Sequence, residues 1–92
     1  MTEHPYELTV AGPAARTIQN GLPESVASAV IEFITGPLLE NPQRVGKKLR
    51  GELEGRYAAR RGAYRVVYRI NQSSRRVVVL RVEHRSEVYR PR

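Results

Sequence analysis

Two stretches in the second half of the chain decide what it can fold into. From Tyr64 to Ile70, the residues Tyr64, Val66, Tyr68 and Ile70 alternate with Arg65, Val67 and Arg69. That period of two sends an apolar row to one face of a sheet and arginines to the other. Asn71-Gln72-Ser73-Ser74 follows with turn chemistry. Val77, Val78, Val79, Leu80 and Val82 then form the most β-prone run of the chain, flanked by Arg75, Arg76, Arg81 and Glu83. The expected product is a central strand paired with residues 63 to 70. An antiparallel strand with one wet face often carries arginine there as plain solvation, so the alternation alone gives Arg65 no function.

Ninety-two residues suit one compact domain, residues 1–92, with room for a single sheet and two or three helices. Cysteine is absent, which excludes disulfides, thiolate nucleophiles and cysteine-ligated zinc and fits a reducing cytoplasm. No apolar run approaches a membrane span, and Met1 to Pro5 lacks the basic start and apolar stretch of a signal peptide. The expectation is a cytoplasmic protein without membrane contact. Its net charge of +7 is unevenly distributed. Residues 1–43 hold one basic residue, Arg16, against five glutamates, whereas residues 44–92 hold fifteen against four. The basic half is built to face a polyanion. Fourteen of the sixteen cations are arginine, whose planar fork grips phosphate and stacks on bases. GC-rich coding raises arginine over lysine too, but it does not cluster the charge.

Read in order, Tyr6, Leu8 and Val10 alternate with Glu7 and Thr9 as a short first strand that stops at Ala11-Gly12-Pro13. Pro13 opens a short helix through Gln19, which ends at Asn20-Gly21. Pro23 and Glu24 open a second helix with Val26, Val30, Phe33 and Ile34 on one stripe, ended or bent at Gly36-Pro37. Leu38 and Leu39 continue the apolar surface to a turn at Asn41-Pro42. Residues 45–55 read as a loop or edge strand anchored by Leu49 and Leu53. A strand from Arg56 to Arg60 and a tight turn at Arg61-Gly62 lead into the strand at 63–70. Helices thus precede an antiparallel meander, which gives an α+β class; whether the first strand joins parallel or antiparallel stays open.

The chemistry is narrow. Aspartate is absent, and the histidines, His4 and His84, lie at opposite ends without metal-ligand spacing, so a metal site or an aspartate-based triad is not expected. No Gly-rich phosphate loop follows a strand. Arginines, lysines, tyrosines and His84 remain, and these point to phosphate. An RNA strand is cut without metal or other cofactor when its own 2′-hydroxyl attacks the adjacent phosphorus, a reaction helped by in-line alignment and neutralised phosphate charge. Tyr57, Tyr64, Tyr68 and Tyr89 are the rings available to stack on a base. Tyr64 and Tyr68 share the apolar face and belong to the core. Tyr89, amid Arg85, Arg90 and Arg92, is the better stacking candidate.

The order Gly36-Pro37-Leu38-Leu39, Asn41-Pro42, Gly46-Lys47-Lys48-Leu49, Leu53-Glu54-Gly55, Ala59-Arg60-Arg61-Gly62, Tyr64-Arg65-Val66-Val67-Tyr68 and His84-Arg85-Ser86-Glu87-Val88-Tyr89 resembles the RelE toxins of the RelE/ParE superfamily over nearly the whole chain. The resemblance implies a RelE-like fold, with an N-terminal strand and two helices packed on an antiparallel sheet. It also implies a toxin of a type II toxin–antitoxin system that enters the ribosomal A site, cuts mRNA without metal and inhibits translation. A cognate antitoxin, encoded beside it, would neutralise it in a toxin–antitoxin heteromer. By the same resemblance Arg65 contacts the scissile phosphate, Arg85 does likewise with Arg81 in reserve, and Tyr89 stacks on a base. A well-studied relative carries two lysines in the strand before the Gly62 turn, one of them discussed as a general base; the matching places here are Ala58 and Arg60. Arg60 supplies charge but hardly accepts a proton. His84 is therefore the expected proton-transfer group, because histidine titrates near neutrality. Lys47, Lys48, Arg50, Arg56, Arg61 and Arg81 are expected to attract RNA or the ribosome. Two rival readings remain: a ParE-like toxin that blocks DNA gyrase without nuclease activity, and a non-catalytic RNA-binding domain.

Overall fold

In the computed structural model, which describes residues 5–51 and 55–84, the alternating run becomes the middle strand of the sheet. The strands are β1 (Glu7–Val10), β2 (Lys47–Lys48), β3 (Arg56–Arg61), β4 (Tyr64–Asn71) and β5 (Arg76–His84), in the order β1-β5-β4-β3-β2. β1 lies parallel to β5, which closes the question the sequence left open; every other pairing is antiparallel. β3 runs one residue further than expected, to Arg61, and the turn into β4 is Gly62-Ala63, with Gly62 at φ +57°, where a side chain would be strained.

Among the described residues, helices cover one face only. After β1, α1 (Gly12–Arg16) starts with a proline in its first turn, where a missing N–H costs nothing, and widens into a π-type turn over Thr17–Gly21. In α2 (Glu24–Ile34), Val30, Phe33 and Ile34 are buried and Glu24 sits at the positive end of the helix dipole. Where the sequence suggested a continuing apolar surface and a turn, the chain makes two single-turn helices, α3 (Pro37–Glu40) and α4 (Pro42–Val45), each opened by its proline. They exist because Leu38, fully buried, and Leu39 must reach the core while Gly36 and Asn41 break the helical path. Among the described residues no helix is long and apolar enough to cross a membrane.

The core lies between these helices and the inner sheet face, where Tyr64, Val66 and Tyr68 of β4 meet Ala59 of β3 and Val77, Val79 and Val82 of β5. On β5 the buried positions change from odd to even numbers. Val67 pairs with Arg81 but Tyr68 pairs with Val79, so Leu80 is the extra residue of a β-bulge. Tyr68 is completely buried, stacks on Tyr57 at 5.5 Å between ring centroids, and donates its hydroxyl to the Pro42 carbonyl at 2.6 Å. Leu49 is half-buried beyond β2; Leu53, its expected companion, lies outside the described residues.

Burial raises the pKa of both inner tyrosines and so opposes their ionisation. For Tyr68 neighbouring Tyr57 adds to the effect, and for Tyr64 Arg61 opposes it while Glu32 adds to it. An unfolded tyrosine ionises near pH ~10. Above that pH the unfolded chain therefore sheds protons that the folded chain keeps, so stability is full below it and falls as pH rises. Urea midpoints measured on either side of that pH should drop on the alkaline side, and Tyr68→Phe should flatten the drop. An equal slope in Tyr68→Phe would reject this cause.

Candidate functional site

The register sorts the cations by face. On the outer face, away from the helices, Arg60, Arg65 and Glu83 form one row across β3, β4 and β5. The next row is Lys47, Ala58, Val67 and Arg81, and the one after it runs through Arg56, Arg69 and Val78. The centre of this face is apolar, at Ala58 and Val67, and arginines surround it. Val67 is 7% exposed although it is not part of the helix-side core.

Glu83 organises the first row. Its Oε1 accepts from Nε of Arg65 at 3.0 Å and from Nη2 at 2.6 Å, while its Oε2 pairs with Nη2 of Arg81 at 2.9 Å. The two contacts follow from strand geometry: Arg65 is the direct cross-strand partner of Glu83, and Arg81 is two residues back on the same face. The glutamate side chain is 15% exposed, against 40% for Arg65 and 65% for Arg81, so the carboxylate lies beneath the guanidinium groups. At the far end of the sheet Arg76 is held differently, by Glu7 at 2.8 Å and the Thr9 hydroxyl at 2.7 Å.

Arg60, Arg65, Arg81, Lys47 and Arg56 are thus brought onto one face. Arg61 and Lys48 are not: they pair with Tyr64 and Tyr57 on the helix side. Arg61 places its guanidinium 4.5 Å from the centroid of the Phe33 ring, at the edge of a groove of about 690 Å³ between α2 and the β3–β4 turn. Arg50 is exposed beyond β2. His84 is placed on the opposite face from Arg65. It pairs with Tyr64, whose hydroxyl lies 3.4 Å from the Ala29 carbonyl of α2, and so it belongs to the inner face. The bulge at Leu80 puts Glu83 on the outer face as the cross-strand partner of Arg65 and turns the His84 position to the other face. Arg85 and Tyr89 lie outside the described residues.

Sequence reasoning passed over Glu83 as a residue flanking a valine run. A signal was present, since the basic half has four glutamates, at 52, 54, 83 and 87, and Glu83 alone sits in a β-prone run. Among the described residues no group of three or more histidine, cysteine or acidic side chains stands close enough to hold a metal ion.

Comparison with known proteins adds a second line. The family model described as ParE toxin of type II toxin-antitoxin system, parDE, matches residues 14–89. Toxin RelE of Mycobacterium tuberculosis is 50% identical over 88 residues, covering 96% of this chain and 90% of that protein. The crystal structure of the toxin–antitoxin complex RelBE2 from the same organism superposes with a TM-score of 0.85 at 47% identity, covering 88% of this chain and 99% of the matched one. The isolated Escherichia coli RelE toxin gives a TM-score of 0.71 at 28% identity, covering 91% and 90%.

Proposed function

We propose, from the premise that the chain belongs to the ParE toxin family of type II toxin–antitoxin systems and is a RelE-type toxin within it, that it stops translation by cutting mRNA in the ribosomal A site. The observation that carries this reading is the outer-face cluster of Arg60, Arg65 and Arg81 around Glu83. Three guanidinium groups against one carboxylate leave an anion-binding surface across three paired strands that cannot move without disturbing the sheet. In the reaction the 2′-hydroxyl attacks the adjacent phosphorus and the bond from phosphorus to the 5′-oxygen breaks, leaving a cyclic phosphate and a 5′-hydroxyl. Arg65 holds the phosphate oxygens on which charge grows, and Arg60 and Arg81 add to the field. Alignment and charge, rather than a strong base, carry the rate. By family resemblance Arg85 adds a second phosphate contact and Tyr89 stacks on a base. Lys47 and Arg56 extend the cationic surface on the same face, and Lys48, Arg50 and Arg61 attract ribosomal RNA from other directions.

In this reading residues 1–92 act as one domain in the cytoplasm, where ribosomes are. Relatives from M. tuberculosis and E. coli were crystallised as RelBE toxin–antitoxin complexes. A cognate antitoxin is accordingly the partner of this chain, binding through a segment that folds on contact, with acidic residues against the outer face. The test is to add the purified protein to programmed ribosomes, with free mRNA as control. New 5′ ends inside A-site codons, absent from free mRNA, are expected. Intact mRNA together with arrested gyrase supercoiling would establish the ParE-like reading instead, and salt-sensitive RNA binding without either effect would leave a non-catalytic binder.

A further inference from the structure

We propose that Glu83 is a positioning residue, whose carboxylate clamps Arg65 and Arg81 together so that their remaining N–H donors converge on one phosphate; this rests on the ribonuclease reading above. Arg60 and Arg65 face each other directly across the hairpin, and Arg81 lies one row away. Like charges that close repel, and long side chains relieve the repulsion by fanning into water. Glu83 opposes this at the point where it matters, with one oxygen on Arg65 and the other on Arg81. A guanidinium has five N–H donors. Arg65 commits two of them to the carboxylate and keeps three for a ligand, while Arg81 meets the other carboxylate oxygen as an ion pair. The burial order supports the same division, because the carboxylate at 15% exposure lies under two better-exposed guanidinium groups and stays out of a ligand's way. The three arginines still outnumber the glutamate, so the local field attracts phosphate while its geometry is fixed from below.

This arrangement separates binding from cleavage. Removing the carboxylate raises the formal net charge by one from +7, which favours RNA attraction, yet it releases the fork that the reaction needs aligned. A misplacement of about 1 Å costs about a hundredfold in rate. Glu83→Ala should therefore slow single-turnover cleavage on programmed ribosomes by about 10- to 100-fold, while binding of a single-stranded RNA stays equal or tightens. Glu83→Gln, which keeps one carbonyl acceptor for Arg65, should fall between the two. In an Arg65→Ala background, Glu83→Ala should cost less than it does in the wild-type protein, because only Arg81 is left for the carboxylate to position. A merely structural glutamate would lower melting temperature, binding and cleavage together, and would lower them equally in both backgrounds. Either that pattern or wild-type cleavage by Glu83→Ala overturns the proposal while the ribonuclease reading stands. If the wild-type protein itself leaves mRNA whole on the ribosome, both fall.

Discussion

Arg65→Ala should reduce single-turnover cleavage of A-site mRNA by about 10²- to 10³-fold, the loss typical when one preorganised donor to a developing oxyanion is removed. Arg65 is expected to stand out among the cations because it sits in the middle strand between two charged neighbours, Arg60 across one pairing and Glu83 across the other, whereas Arg69 on the same strand lies between Arg56 and the apolar Val78. Arg65→Lys should recover little, since an ammonium keeps the charge but not the fork. The fold should survive both changes. Arg65 is 40% exposed, so its ion pair with Glu83 is screened by water and its loss costs at most about 1 kcal/mol. Arg81 still answers the carboxylate. Unchanged urea midpoints alongside lost cleavage are the expected pair of results; cleavage within about threefold of wild type would remove Arg65 from the mechanism.

Gly46→Ala should be among the most destabilising small substitutions, at about 1–3 kcal/mol. A Cβ there would collide with the Tyr68 hydroxyl and stand 2.9 Å from the Ala58 carbonyl oxygen. Neither neighbour yields easily. Tyr68 is buried, stacked on Tyr57 and hydrogen-bonded to the Pro42 carbonyl, and the Ala58 oxygen belongs to β3. Gly46 also leads directly into β2, so relief of the clash would displace the edge strand that carries Lys47 onto the outer face. Equilibrium urea unfolding gives the measurement. Tyr68→Phe alone should cost about 1–3 kcal/mol by leaving the buried Pro42 carbonyl without its donor. In the Gly46→Ala background it should cost less, because it also removes the colliding oxygen. Gly46→Ala within about 0.5 kcal/mol of wild type would mean that the loop shifts freely.

Much of this was legible from residue order. The alternation of Tyr64, Val66 and Tyr68 with Arg65 and Arg69 gave the faces of β4 without ambiguity, because charge and apolarity agreed at nearly every position. The stripe of Val26, Val30, Phe33 and Ile34 did the same for α2. β5 was readable as a strand but not as a pair of faces: Val78 and Leu80 are as apolar as Val77 and Val79, so nothing in Val-Val-Val-Leu shows which side is buried or that one residue is supernumerary. This is why the cross-strand partner of Arg65, Glu83, does not stand out in the sequence. α3 and α4 were hidden for another reason, since single helical turns are set by core contacts of Leu38, Leu39 and Pro42 more than by periodicity.

The bulge at Leu80 also uncouples strand length from side-chain direction. In a strand without a bulge, losing one residue would invert every side chain beyond it. At Leu80 the register on both sides is already satisfied, Val79 opposite Tyr68 and Arg81 opposite Val67. A chain lacking that residue would still send Val82 inward and Arg81 and Glu83 outward. Shortening by one residue at this point should thus be tolerated, with the same charges kept on the same face.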